Sequence, residues 1–208
     1  MMRTNLAYII LIAMILIVSC KEDPRQPPSR DTSSDWHYFG LASPGDKPVL
    51  FSPEIVSTSR DERDFTIAPA GNVMYYSLVL PARNLSVILH LSFDGFFWSE
   101  PQVARFSGQY SDLEPSFSPD GKKIFFVSKR PVIQDQPKED YDIWYMENTG
   151  QGWSAPMNAG TVINTSGGEY YPSVTSDGTL YYTAKLDSTF GNEDIYFSSL
   201  KTENTKPL

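Results

Sequence analysis

Three carboxylates, Glu62, Asp112 and Glu169, stand at the same point of three similar segments in this 208-residue chain. Repeated acids of this kind are its clearest capacity for chemistry. Gathered at one place, they would bind a cation or a basic segment of a partner. Two carboxyl groups separated by about 5–10 Å could also serve glycoside hydrolysis as acid and base. Alternatively, each accepts backbone N–H bonds and orders the loop beside it. Their identical phase in three copies favours that structural role over an asymmetric acid–base pair. Tyr110, Tyr170 and Tyr171 lie close by in sequence, with rings that would stack on sugars or pack between repeats.

Other chemistry is sparse. Only two histidines are present, His37 and His90. No G-x-S-x-G, H-E-x-x-H or C-x-x-C motif appears. No serine has a plausible histidine and aspartate set, so no catalytic residue, metal site or cofactor is expected. Gly150-Gln151-Gly152 reads as a turn, because no helix follows to receive a phosphate. His90 shares its phase with Tyr145 and Phe197, which makes it a packing position.

The elements that position the acids repeat with them. Glu62 to Gly71 reads E-R-D-F-T-I-A-P-A-G, Asp112 to Gly121 reads D-L-E-P-S-F-S-P-D-G, and Glu169 to Gly178 reads E-Y-Y-P-S-V-T-S-D-G. An apolar, aromatic run follows each copy. Pro119-Asp120-Gly121 is a hairpin turn: proline presets φ, aspartate suits the turn centre and glycine takes φ > 0. The run Ile124 to Ser128 is continuously apolar up to its serine, as expected of a strand buried on both faces. A third strand follows at Asp142 to Met146, matched at Asp194 to Phe197 and Val87 to His90. Trp98-Ser99-Glu100-Pro101 and Trp153-Ser154-Ala155-Pro156 then mark an outer edge strand, where proline costs no ladder bond. The marker prolines Pro48, Pro101, Pro156 and Pro207 recur about every 50 residues, a spacing that suits a four-stranded propeller blade.

The expected fold is therefore all-β, a β-propeller-type array of about three four-stranded antiparallel blades at 50–105, 106–160 and 161–208. Trp98 and Trp153 are expected to be largely buried, so that Trp153→Ala costs about 3–5 kcal/mol. Propellers usually close with about four to eight blades. Three blades imply either part of a longer propeller or self-association through open blade faces.

The N-terminus carries a different signal. Arg3 precedes an apolar run from Leu6 to Val18, too short for a bilayer span but suited to a signal-peptide core. Ile17-Val18-Ser19-Cys20 resembles the lipobox of bacterial lipoproteins. That resemblance implies cleavage before Cys20, lipidation of its sulfur and an anchor in the membrane, with Lys21-Glu22-Asp23 resembling an outer-surface sorting signal. Residues 1–20 are thus a signal peptide and 21–35 a proline- and serine-bearing tether. As the lone cysteine, Cys20 excludes an intrachain disulfide. The formal charge of −8 disfavours nucleic acid as a partner.

Pro115 to Lys122, Phe125-Phe126 and Asp142-Ile143-Trp144 together closely resemble the TolB-like, WD40-related β-propeller repeat. Tyr38-Phe39-Gly40, Pro44-Gly45 and Phe51-Ser52-Pro53 resemble the opening of cell-envelope lipoproteins built from such repeats. The outer copies depart from the pattern, with Ala70 in place of aspartate and Ser176 in place of proline. The resemblance spans about residues 38–208. It implies a non-enzymatic scaffold at the outer membrane, on its periplasmic or surface face, which binds a protein or peptide. The loops between second and third strands, among them Lys129 to Tyr141, diverge most and would form the binding face. A glycan-binding protein or glycoside hydrolase using the repeated carboxylates is the other reading, since the fold hosts both.

Overall fold

The computed structural model describes residues 44–95 and 97–199, all within one compact unit. The leader, Cys20, the tether and the last residues lie outside that range. Among the described residues no helix is long and apolar enough to cross a membrane.

Each repeat folds into one antiparallel sheet. The first contains β1 (Asp61–Ile67), β2 (Val73–Leu80), β3 (Leu85–Ser92) and β4 (Gln102–Val103), in that order. The second has β5 (Asp112–Phe117), β6 (Lys123–Ser128), β7 (Asp142–Glu147) and β8 (Met157–Asn158). In the third, β9 (Glu169–Val174), β10 (Thr179–Ala184) and β11 (Asp194–Ser199) are described. A 3-10 turn at Pro81–Arg83 is the one helical element among the described residues. Three successive meandering sheets of this kind form an all-β, propeller-type array.

The turn chemistry repeats with local variation. Gly71, Gly121 and Gly178 all take positive φ, as the hairpins require. Asp120 Oδ1 accepts from Ser118 Oγ and from the Lys122 N–H, and Asp177 plays the same part with Thr175 and Thr179. Ala70 cannot, so the first hairpin relies on its backbone bonds alone, Ala68 N–H to Val73 O and Gly71 N–H to Ala68 O.

Cross-strand ring pairs show how the blades stack. Tyr75 faces His90, Phe125 faces Tyr145 and Tyr181 faces Phe197, with centroids 5.7, 5.8 and 5.8 Å apart. The first pair is covered by the second blade, whose Ile124, Phe126, Trp144 and Met146 share a core with Tyr75 and Ile88. Leu180, Tyr182 and Ala184 of the third blade cover Phe125, Val127 and Ile143 in the same way. Phe125 is accordingly 1% exposed, whereas Tyr181 and Phe197 are 43% and 72% exposed. Burial on both faces explains the largely apolar runs of β2 and β6. Strand β10 alternates because one of its faces lacks a neighbouring blade among the described residues.

The tryptophans need a correction. Trp98 and Trp153 occupy equivalent positions, each in a single bridge, with Phe93 and Asn148 respectively. Both are half-buried rather than buried. The edge strands β4 and β8 begin after the marker prolines, so these rings lie on the turn leading into the edge.

Candidate functional site at the loop end

Asp112, Glu62 and Glu169 begin the inner strands at one end of the array, and each fastens the connector that precedes it. Asp112 is fully buried. It accepts from Ser107 Oγ at 2.8 Å, Ser128 Oγ at 2.6 Å and Arg130 Nη2 at 2.8 Å. The Arg130 guanidinium also donates to Phe106 O and Ser128 Oγ, and lies 4.8 Å from the centroid of Phe126 and 5.4 Å from that of Trp144. A buried charge pair with this many partners is a structural rivet.

The other two acids are held by a threonine four residues earlier. Thr58 Oγ1 donates to Glu62, and Thr165 donates to Glu169 Oε1 through its N–H at 3.1 Å and its hydroxyl at 2.6 Å. Glu169 is also fully buried, and its Oε2 meets no donor among the described residues. Burial pushes its carboxyl up; the Thr165 bonds oppose this and Asp142 adds to it. Two of the three repeated acids thus have no surface to offer a ligand. Among the described residues no cluster of acids, histidines or cysteines is arranged to hold a metal.

The groups that do reach the meeting point of the inner strands stand two residues further on. Asp64, Glu114 and Tyr171 share one phase of the repeat, and all three take positive φ, at 55°, 56° and 52°. Each lies where the pairing register slips, at a bulge in its inner strand. A left-handed non-glycine residue costs about 1–2 kcal/mol. Bulging lets side chains of three different blades meet. Arg63 Nε donates to Asp64 at 3.0 Å, and Arg63 Nη2 donates to the Tyr171 hydroxyl at 2.9 Å, joining first and third blades across the second. The Tyr171 N–H donates to Glu114, whose own N–H donates to Ser77 Oγ at 3.0 Å.

Glu114 is the most perturbed acid of this cluster. Burial pushes its carboxyl up to about 7; the Tyr171 N–H and Arg63 pull it down, while Asp64 and Glu193 push it further up. Tyr171 stays 54% exposed and Arg63 is open to solvent. Tyr170 packs at a tilt against Tyr141, with centroids 5.7 Å apart, and the end of its ring lies where a Cβ at Gly168 would fall. Tyr110 lies beneath Arg130. His90, at the other end of the first blade, stacks on Tyr75.

The divergent loops leave the sheets at this same end. In the loop from Lys129 to Tyr141, Arg130 is buried, whereas Val132 and Ile133 are exposed. Lys138 pairs with Asp140 at 2.7 Å and Asp142 at 3.0 Å, holding the far end of the loop. An apolar tip is thus presented on a loop pinned at both ends.

Of the repeated acids expected to bind, Asp112 and Glu169 are buried and engaged within the fold, and the residues two positions further on are the ones that meet across blades. The useful signal was present in E-R-D, D-L-E and E-Y-Y, whose third members are Asp64, Glu114 and Tyr171. Nothing in those residue types announces a left-handed backbone, which is why the bulges were not foreseen.

No protein-family model matches the sequence, and no curated protein matches it. Among solved structures, the chain is similar to a TolB-like protein from Agrobacterium tumefaciens, with 16% identity over 65% of this chain and a TM-score of 0.44. It is also similar to a prolyl endopeptidase, with 18% identity over 76% of this chain and a TM-score of 0.46. The chain spans 47% of the first structure and 23% of the second.

Proposed function

We propose that this chain is a non-enzymatic binding scaffold of the bacterial cell envelope, held at the outer membrane by a lipid on Cys20, whose loop end takes a protein or peptide partner. The observation that carries this reading is the convergence of Arg63, Asp64, Glu114 and Tyr171 from three blades, at the end of the sheets where the β6–β7 loop exposes Val132 and Ile133. Strained, partly buried polar groups held by a rigid scaffold, with an apolar loop tip at the same end of the sheets, suit recognition of a peptide backbone and its side chains. Asp112 and Glu169, buried and engaged within the fold, support the non-enzymatic reading.

Affinity capture from envelope extracts tests the partner. Replacing residues 131–137 by a short Gly/Ser turn spares Arg130 and Lys138, so the fold should persist while partner capture falls at least about tenfold. Capture unchanged by that replacement, or turnover of a glycan substrate abolished by Glu169→Gln in a folded protein, overturns the reading. The anchor is tested separately by metabolic labelling with a fatty acid, which should vanish in Cys20→Ser.

A further inference from the structure

At the opposite end from the loops, where the β1–β2 and β5–β6 hairpins lie side by side, a cavity of about 410 Å³ opens between the first two blades. Aromatic rings line it: Tyr75, Phe117 and Trp153. Tyr75 meets Phe117 edge-on with centroids 5.6 Å apart, and Phe117 lies 6.1 Å from Trp153. The series of rings continues to His90, which stacks on Tyr75.

Polar groups that the fold leaves unused share this cavity. Tyr75 is 7% exposed, and its hydroxyl has no hydrogen-bond partner among the described residues. Burial pushes the phenol up, so it stays protonated and able to donate. His90 Nδ1 donates to Gln102 O at 3.2 Å, which leaves Nε2 without a partner among the described residues. Asn148 Oδ1 accepts from the Gly150 N–H at 2.9 Å, and its amide hydrogens remain available. The Asn72 side chain, also at the cavity, is exposed and bonds to no described residue. The one carboxylate there, Asp120, is already engaged by Ser118 Oγ and the Lys122 N–H.

The next blade junction shows that the repeat does not require this lining. A matching hollow, also of about 410 Å³, lies between the second and third blades. Phe125 stands there in place of Tyr75 and Val174 in place of Phe117. It is lined by a single ring and by no amide or imidazole.

We propose that the cavity at the first junction binds a neutral sugar residue of a glycan, with the C–H face of the sugar on the half-buried Phe117 and Trp153 and its hydroxyls at Tyr75, His90, Asn72 and Asn148. Aromatic faces carry partial negative charge and suit polarised C–H groups. A phenol, an imidazole and two amides together donate and accept, as the hydroxyls of a sugar do. No cationic side chain lines the cavity to hold an acidic sugar. Its volume falls in the range of about 300–1,000 Å³ typical of small-molecule sites. The site is separate from the loop end and uses none of the repeated carboxylates.

The test applies the full chain, solubilised in mild detergent, to an array of defined neutral and acidic oligosaccharides. Retention of at least one neutral glycan is expected, without preference for acidic ones. Tyr75→Phe, which installs the residue of the second blade, should weaken that binding about five- to tenfold, as loss of one hydrogen bond implies. Asn72→Trp, at an exposed turn position, fills the cavity from outside the core and should abolish binding. Replacing residues 131–137 at the loop end should leave it unchanged. Retention of no neutral glycan, a preference for acidic glycans, indifference to either variant, or equal loss on the loop-end replacement overturns the proposal. Circular dichroism of each purified variant confirms that the β-fold is retained.

Discussion

The hubs of the second and third blades start from the same place in the repeat and end in different electrostatic states. Asp112 meets Arg130, Ser107 and Ser128, so every acceptor is used. Glu169 meets only Thr165 and keeps one oxygen without a donor. Ala184 stands where the second blade has Ser128, and Lys185-Leu186 replaces Lys129-Arg130. The third hub has lost both the hydroxyl and the guanidinium. It resolves the buried acid by favouring the protonated form. The same contrast extends outward: Phe125 is covered by the next blade, while its counterpart Tyr181 faces solvent. A repeat conserves geometry, and the surroundings of each copy decide its energetics.

Breaking the Asp112–Arg130 pair should have the largest effect. Arg130→Ala leaves a buried carboxylate without its cation and should cost about 3–5 kcal/mol in urea unfolding. Glu169→Gln keeps an acceptor for Thr165 and should cost less than about 1 kcal/mol. Equal losses at the two hubs would erase the distinction. The ring pairs offer a second, slightly smaller contrast. Phe125→Ala should cost about 3–4 kcal/mol, against less than about 1 kcal/mol for Tyr181→Ala.

Glu114 sharpens the comparison through pH. Its folded carboxyl is raised from 4.5 to about 7, so the folded state binds this proton more tightly than the unfolded chain. The resulting stabilisation is fully present below about pH 4.5 and is lost as pH rises through about 7. Its size is about 3 kcal/mol, read as a fall in stability between those limits that Glu114→Gln should flatten. A wild-type profile flat over that interval would contradict the assignment. The smallest effect concerns Trp153, half-buried beside Phe117 at a centroid distance of 6.1 Å. Trp153→Ala should cost about 1–2 kcal/mol in the same unfolding assay, less than full burial would imply.

Much of the fold was legible because the repeats write it three times. Gly71, Gly121 and Gly178 marked the hairpins, and the apolar runs after them marked strands with two buried faces. The phase shared by His90, Tyr145 and Phe197 located the third strands. What sequence could not supply was sidedness and backbone sign. Trp98 and Trp153 look like core residues from size alone, yet they sit on a turn at the sheet edge. Asp64, Glu114 and Tyr171 carry positive φ without being glycine or asparagine, because three converging inner strands hold the bulges in place. The Arg63–Tyr171 bond spans 108 residues, and no local pattern reports it.

The most direct test of the binding account places a photo-reactive benzoylphenylalanine at Tyr171, and separately at Tyr181 as a control on the exposed sheet face of the third blade. The full chain is irradiated in intact cells, and cross-linked species are identified by mass spectrometry. The account predicts one discrete protein adduct from Tyr171 that is absent from Tyr181 and is lost when residues 131–137 are replaced. No adduct from Tyr171, or the same adducts from both positions, would contradict a partner site at the meeting point of the inner strands.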